Sequence, residues 1–287
     1  MSTPSALQAS LQTRPVLAAA AGMETSDGAG VSLTRLLGTP RLRMLDPFLM
    51  LDFFGSDRPQ EYLAGFPEHP HRGFETVTYM LAGRMRHADN HGHEGVIETG
   101  GIQWMTAGRG ILHSEMPEQQ DGLLKGFQLW INLPAHLKMT EPRYQEVPAA
   151  GIPVEAREDG VTVKVIAGTT SRGTTGPVRA EATEARYFDV TLPPGASFAE
   201  ALPEDYTAAL VVFEGALTAA GTPVEPLGIA VLGEGGQAVA TAGPQGARFL
   251  LLAGRPLQEP VAWGGPFVMN TREEVMQAFR DFEEGRF

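Results

Sequence analysis

Short runs of residues with strand character recur along the whole chain and constrain its fold more than any other feature. Most runs are bounded by Gly, Pro, Asn or Asp, the residues that supply turn geometry. The clearest runs are 31–37, 75–81, 95–105, 126–133, 161–167, 187–192, 208–213, 229–232 and 247–252. With 34 Gly and 22 Pro among 287 residues, the chain is as rich in turns as β-sandwiches and β-barrels are. The pattern therefore predicts an all-β protein.

The two halves of the chain share a pattern of strands. The run TVTYMLAGRM around Gly83 is similar to AALVVFEGAL around Gly215, and downstream IQWMTAG ends at Gly108 as LGIAVLG ends at Gly233. Few residues are identical, but the order and spacing agree, which is typical of an internal repeat. A chain of this length also has room for two domains of medium size. We therefore predict two similar β-domains in tandem.

The predicted boundary between the domains lies in a proline-rich segment. Residues 133–148 carry three prolines with polar residues between them, and such a composition favours a linker. We assign residues 1–135 to an N-terminal domain that binds metal, 136–148 to the linker, and 149–287 to a C-terminal domain.

The chain is predicted to end in a helix. Thr271 followed by Glu274 has the spacing of a capping box, which marks a helix start. Apolar residues then recur at helical spacing and are expected to pack against a β-domain: Val275, Met276, Phe279 and Phe282.

Charge and composition exclude several classes of function. The formal net charge of −12 repels nucleic acid and anionic membrane surfaces over about 8 to 10 Å in physiological salt, so direct nucleic-acid binding is not expected. The absence of cysteine leaves only nitrogen and oxygen as metal ligands. The N-terminal sequence lacks the features of a secretory signal, and no stretch approaches the ~20 apolar residues that span a bilayer. We expect a soluble, cytoplasmic protein.

All seven histidines lie in the first half of the chain, and three of them fall into a pattern. His69-Pro-His71 precedes a strand, and His113-Ser-Glu115 repeats the same spacing. A strand places residues i and i+2 on one face, so each pair can point at a single ion. Imidazole suits iron, copper, nickel and zinc, and one carboxylate adds negative charge. The pattern predicts one mononuclear transition-metal site built from His69, His71, His113 and Glu115.

The remaining histidines are interpreted as structural or surface residues. A His-x-His pair by itself is common in loops, and His91-Gly-His93 lies in a stretch of Asp, Asn and Gly that favours a hairpin loop. We place His87 in the same loop and His136 in the linker, and we leave all four out of the site.

The repeat provides an internal control for the four predicted ligands. Aligning Gly83 with Gly215, and Gly108 with Gly233, places Ala201, Pro203, Ala238 and Ala240 at the four ligand positions. The whole set is missing together from the second half. Residues that served only the fold would be expected to persist in part, so their joint absence favours a site.

Two blocks of the sequence resemble the two cupin motifs in the form found in the pirin family. They are HPHRGFETVTYMLAG at 69–83 and GGIQWMTAGRGILHSEMP at 100–117. The segments DPFLMLDFFG at 46–55 and GPFVMNTREEVMQAFRDFEEGRF at 265–287 are similar to pirins as well, whereas 169–260 matches only in general pattern.

The resemblance implies a bicupin, an all-β chain of two tandem cupin-type antiparallel β-barrels with a C-terminal helix. It implies one metal in the N-terminal barrel, usually Fe(II), with nickel, copper or zinc as alternatives, held by the residues that match His69, His71, His113 and Glu115. General cupins often take a glutamate from the first motif, here Glu75. The pirin pattern instead favours Glu115.

Three functions follow as expectations from this resemblance. The first is a metal-dependent dioxygenase of the quercetin 2,3-dioxygenase type, which opens the central ring of a flavonol with O₂, with Glu115 as both ligand and catalytic proton acceptor. The second is a non-catalytic regulatory protein that responds to metal or redox state and binds a protein partner. The third, which the pirin resemblance disfavours, is an isomerase of sugars or keto acids that uses the cupin metal as a Lewis acid.

Residues beside the two motifs are candidates for a substrate pocket and for structural salt bridges. Aromatic and apolar side chains there are candidates for the wall of a substrate pocket, although such residues are more often core. These candidates are Phe53, Phe54, Trp104, Met116 and Phe127. Arg72 and Arg109 flank the ligand segments and are expected to form structural salt bridges.

Overall fold

The computed structural model of the protein describes residues 11–287, in which the chain forms 22 strands and one α-helix. The strands of the first half are β1 (Val16–Ala21), β2 (Met23–Asp27), β3 (Val31–Leu37), β4 (Phe48–Ser56), β5 (Phe66–His71), β6 (Phe74–Ala82), β7 (Met85–Asp89), β8 (Glu94–Ile97), β9 (Ile102–Thr106), β10 (Ile111–Pro117), β11 (Leu124–Asn132) and β12 (Arg143–Val147). Those of the second half are β13 (Val154–Ala156), β14 (Thr162–Ala167), β15 (Arg186–Leu192), β16 (Ser197–Ala201), β17 (Thr207–Ala219), β18 (Thr222–Val224), β19 (Gly228–Leu232), β20 (Gln237–Gly254), β21 (Ala262–Gly264) and β22 (Phe267–Met269). The helix α1 spans Arg272–Glu283.

Each half builds a large antiparallel sheet with the same strand order. The first sheet runs β12-β9-β6-β11-β4-β3-β2, and the path through the second runs β1-β19-β17-β20-β15-β14-β13. Strands β6 and β9 take the positions of β17 and β19, as the sequence repeat predicts. A second sheet, β5-β10-β7-β8, accompanies the first large sheet, and the pairing of β16 with β20 repeats that of β5 with β10. The prediction of an all-β chain with two similar antiparallel halves is confirmed.

Two edge strands cross the boundaries that the sequence predicts. Strand β1 joins the second sheet, where Ala19 lies opposite Ala230 of β19. Strand β12 lies in the predicted linker and joins the first sheet, where Gln145 lies opposite Trp104 of β9. β1 and β12 supply hydrogen-bond partners for the backbone N–H and C=O groups of β19 and β9, which would otherwise be edge strands. The first sheet therefore takes a strand from the predicted linker, and the second takes one from the predicted N-terminal domain.

The two large sheets pack face to face through one apolar core. This core contains buried side chains from both halves, among them Val77, Tyr79, Trp104, Phe127, Leu129, Tyr187, Val211, Phe213, Leu250 and Leu252. The second half has a further apolar cluster of its own, which includes Ala238 and Ala240, two of the four positions aligned with the predicted ligands. Ala238 and Ala240 thus place apolar side chains at the counterparts of His113 and Glu115 in the second half.

The C-terminal helix begins as predicted but packs differently. Thr271 and Glu274 form a capping box, in which the Thr271 hydroxyl accepts from the Glu274 backbone N–H at 3.2 Å and Glu274 accepts from the Thr271 backbone N–H at 2.9 Å. The predicted apolar stripe is only partly right, because Val275 is buried together with Ala278 whereas Met276, Phe279 and Phe282 stay at least one third exposed. Within the described residues, no helix combines the length and apolar character needed to cross a membrane.

Arg72 ties the helix to the segment that carries the predicted ligands. Its Nη1 lies 2.7 Å from Asp281 Oδ2 of α1, and its guanidinium lies 4.3 Å from the ring centroid of Phe287. Burial alone would raise the pKa of Asp281, but hydrogen bonds from Arg286 and Arg72 outweigh burial and lower the pKa well below its usual value. Arg109 instead pairs with Glu141 at 2.9 Å, where both side chains are exposed.

Replacing Arg72 by methionine is expected to lower the free energy of unfolding by about 2 kcal/mol at pH 7, since Asp281 loses a charged hydrogen-bond donor. Because the pKa of Asp281 is lower in the folded than in the unfolded chain, the pair stabilises the fold above about pH 4, and this contribution is lost as the pH falls further. Urea unfolding at pH 7 and pH 3 measures both effects. Arg109→Met is the matched control, and an equal loss in the two variants would contradict this role of Arg72.

Candidate metal centre

Two neighbouring strands bring the three predicted histidine ligands together. Strands β5 and β10 are antiparallel, with His69 directly opposite His113. The Nε2 atoms of His69 and His71 lie 3.1 Å apart, and the ring centroid of His113 lies 4.5 Å from that of His69 and 5.1 Å from that of His71. One ring nitrogen from each histidine lies within 4.8 Å of the other two. Three imidazoles can therefore share one ion.

Glu115 lies beside this cluster but outside its tightest part. It lines the same cavity as His69 and His71 and is buried. Its Oε1 accepts a hydrogen bond from the Thr78 hydroxyl at 2.7 Å, and its Oε2 accepts from Gln128 Nε2 at 2.8 Å. Within residues 11–287, the three histidines form a group whose ligand atoms all lie within 4.8 Å of one another. Glu115 is not a member of that group. The role of Glu115 as a ligand stays a prediction.

The protonation of the imidazoles fits metal binding. Burial lowers the pKa of His71 and His113 well below the usual value, so both rings are neutral near pH 7 and offer lone pairs. The Nδ1–H of His69 can donate to the carbonyl oxygen of Pro67 at 2.8 Å, which leaves its Nε2 lone pair for an ion.

His113 carries the clearest sign of a metal-binding role. Both of its ring nitrogens are buried and lack a hydrogen-bond partner among the described residues. Buried polar atoms without partners are rare, because they lose their hydration without compensation. A divalent transition metal would take the lone pair of one of these nitrogens, so the residues present fit such an ion.

Glu75, the alternative carboxylate ligand, faces away from this cluster. Along β6, Thr78 points to Glu115, whereas Glu75 lies on the opposite face with Val77 and Tyr79, which belong to the core between the large sheets. Glu75 accepts a hydrogen bond from the Thr106 hydroxyl at 2.7 Å, and burial raises its pKa. It is placed to stabilise the sheet.

The histidine cluster opens into a cavity of about 650 Å³. Aromatic side chains on its wall are Phe54, Phe66, Trp130 and Trp263. The ring of Trp130 lies 5.0 Å from that of His71, and Trp263 lies 5.8 Å from Trp130. Arg35 and Asp52 add a polar wall, in which Nε and Nη2 of Arg35 donate to the two carboxylate oxygens of Asp52 at 2.8 Å each.

Most of the candidate pocket residues belong to the core, which is the role that the sequence favoured for such side chains. Of the five candidates only Phe54 lines this cavity, because Phe53, Trp104 and Phe127 point from the opposite face into the core between the sheets. Met116 is half-buried and does not line the cavity. Trp130 could have been found from its alternation with Phe127 along β11, whereas no local signal connects Trp263 to the site.

The histidines left out of the prediction are not all loop residues. His91 and His93 lie in the turn between β7 and β8, as predicted, and His136 is exposed. His87 differs from the prediction, because it lies within β7 and is buried. It meets His93 and Glu146 of β12 in a second cluster of potential ligands.

Comparison with known proteins agrees with this fold. A family model described as Pirin matches residues 30–131, and one described as Pirin C-terminal cupin domain matches residues 187–287. The chain is 60% identical over 277 residues to a pirin-like protein of Caulobacter vibrioides, which covers 96% of this chain and 100% of that one. It is 50% identical over 278 residues to a Pseudomonas aeruginosa protein whose name assigns it provisionally to quercetin 2,3-dioxygenase, with 95% and 97% covered.

A solved structure named quercetin 2,3-dioxygenase, from Acinetobacter baumannii, matches with a TM-score of 0.89 at 36% identity, covering 96% of this chain and 98% of that one. The two family models correspond to the two barrels, so the prediction of tandem cupin-type barrels with a C-terminal helix is confirmed. The chain therefore belongs to the pirin family of the cupin superfamily.

Proposed function

We propose that this chain is a cytoplasmic, metal-dependent dioxygenase that opens the central ring of a flavonol such as quercetin with O₂. The observation that carries the proposal is the meeting of three imidazoles, two of them buried, at an aromatic-walled cavity. The names of the Pseudomonas and Acinetobacter relatives, at 50% and 36% identity, support the choice of substrate.

His69, His71 and His113 would hold the metal, with Glu115 as the fourth ligand. When bound, a divalent transition metal would supply Lewis acidity toward the flavonol oxygens, and a redox-active ion such as Fe(II) would also supply the redox chemistry that O₂ requires. Fe(II) is the proposed ion, and nickel, copper and zinc are the alternatives that imidazole and carboxylate ligands also accept.

Glu115 is the proposed acceptor of the flavonol 3-hydroxyl proton. A carboxylate bound to a cation is a weaker base, so this role requires that Glu115 be detached from the ion, or only weakly bound, when it takes the proton. The hydrogen bonds from Thr78 and Gln128 support the role, since they hold both carboxylate oxygens in a defined position beside the imidazoles. Thr78 and Gln128 are thus positioning residues for Glu115.

The cavity suits a planar aromatic ligand in size and in chemistry. A volume of about 650 Å³ falls within the range of small-molecule sites. Trp130, Trp263 and Phe54 offer ring faces and edges for stacking, and the Arg35–Asp52 pair offers donors and acceptors for phenolic hydroxyls.

The test is aerobic turnover of quercetin by metal-free protein and by protein loaded separately with iron, nickel, copper or zinc. We expect loss of flavonol absorbance together with release of carbon monoxide, at its highest rate with iron and absent without metal. No metal-dependent turnover with any of the four ions would contradict the enzyme proposal. Pull-downs from cell extract with loaded and metal-free protein would then test the regulatory alternative, which predicts that capture differs between the two forms.

A further inference from the structure

We propose that His87, His93 and Glu146 form a second metal site, which holds a divalent transition-metal ion independently of the first cluster. The site lies where β7 and the turn after it meet β12 of the neighbouring sheet. None of its three residues belongs to the centre proposed for catalysis.

The ligand atoms already have nearly the spacing that an ion requires. His87 Nε2 lies 2.8 Å from Glu146 Oε1, His93 Nε2 lies 3.0 Å from the same oxygen, and the three ligand atoms all lie within 4.8 Å of one another. Two ligand atoms that each lie ~2.1 Å from a tetrahedral ion are about 3.4 Å apart. Small side-chain movements therefore accommodate a metal.

The burial of His87 is an independent observation that favours a metal site. It is 1% exposed, and both of its ring nitrogens lack a hydrogen-bond partner among the described residues, although Nε2 is close to the Glu146 carboxylate. The distance between His87 Nε2 and Glu146 Oε1 is short, but the angles at these two atoms are not those of an N–H···O hydrogen bond.

Gly95 leaves open the space next to His87. A Cβ atom at this residue would lie 2.7 Å from His87 Nε2 and 3.5 Å from a Glu146 oxygen. The backbone of Gly95 has no positive φ that would by itself require glycine. The missing side chain therefore keeps clear the side of the cluster that an ion would approach.

Surrounding contacts hold the exposed ligand in place. Asp89 Oδ1 accepts from the backbone N–H groups of His91 and His93 at 2.8 and 2.9 Å, and Asp89 Oδ2 accepts from the Tyr144 hydroxyl at 2.9 Å. The Tyr144 ring stacks on His93 with 4.3 Å between centroids and 23° between planes. Supporting interactions of this kind fix the orientation of metal ligands.

The composition of the cluster indicates which ions it takes. Two imidazoles and one carboxylate suit zinc, nickel and ferrous iron, and the set leaves positions for water. His93 and Glu146 are each more than one third exposed, so an ion can exchange with solvent. We therefore expect a hydrated, exchangeable ion at this site.

Zinc binding to the full-length, metal-stripped protein tests the second site. We expect isothermal titration with Zn²⁺ to find two strong equivalents in the wild type, one in His93→Ala and one in His113→Ala. His91→Ala is the matched control, because the His91 side chain lies in the same turn outside the cluster, and it should retain two. Glu146→Gln, which keeps the shape of the side chain, should weaken the second equivalent at least about tenfold.

The comparison of His93→Ala with His91→Ala decides the proposal. Equal stoichiometry in these two variants, or a single equivalent in the wild type, would overturn it. Anomalous diffraction above and below the zinc edge from zinc-soaked crystals gives a second measurement, in which a peak between His87, His93 and Glu146 is expected and a peak elsewhere counts against the site. Since His113→Ala should keep this equivalent, failure of the catalytic proposal leaves the test intact.

Discussion

Replacing His113 by alanine is expected to remove the catalytic metal and to lower flavonol turnover at least about a thousandfold. His113 is buried between two other imidazoles, and its ring nitrogens have no other partner among the described residues. A metal ion that stabilises charge in the transition state contributes several kcal/mol, and about 4 kcal/mol corresponds to a thousandfold change in rate.

Elemental analysis together with kcat/KM for quercetin measures this effect. His136→Ala is the control, because His136 is an exposed histidine outside both clusters and its variant should keep metal and turnover. Turnover in His113→Ala within tenfold of the wild type would contradict the assignment of His113.

Replacing Phe127 by alanine is expected to lower the free energy of unfolding by about 3 to 5 kcal/mol, while KM for the flavonol stays unchanged. Phe127 is fully buried between the two large sheets, with its ring 5.2 Å from Phe53 and 5.2 Å from Phe213 of the second half. Alanine would leave a cavity at the contact between the halves, and a loss of this size is a large part of a typical domain's stability. Urea or thermal unfolding measures it.

Trp130→Ala is the matched comparison on the same strand. Trp130 lies on the other face of β11, is half-buried and lines the cavity. Its variant should raise KM with a smaller loss of stability than Phe127→Ala. A raised KM in Phe127→Ala, or no change of KM in Trp130→Ala, would contradict the assignment of the two faces of β11.

The strands that alternate or are uniformly apolar could be predicted from the sequence, whereas the polar ones could not. The run 31–37 coincides with β3, and the repeat correctly relates β6 to β17. The run 95–105 is two strands, because the chain turns at Thr99 and Gly100. Strand β5, FPEHPH, lacks a continuous apolar pattern, and its pairing with β10 depends on contacts distant in sequence.

Some residues of the candidate site could likewise be predicted from the sequence, and others could not. The i, i+2 spacing sufficed to group His69 with His71, since it follows from the geometry of one strand. The pocket wall could not be predicted, because β4, β6 and β11 carry apolar side chains on both faces and one face packs against the second sheet. Glu146 could not be predicted as a potential ligand for another reason. It lies on a strand within a segment whose prolines indicate a linker.

A crystal structure of protein purified without added metal, with anomalous data at the absorption edges of iron, nickel, copper and zinc, tests the central claim most directly. The account predicts a peak about 2.0 to 2.3 Å from one ring nitrogen each of His69, His71 and His113, with a Glu115 oxygen completing the ligand set. Imidazole rings turned away from one another, with no peak between them, would contradict it.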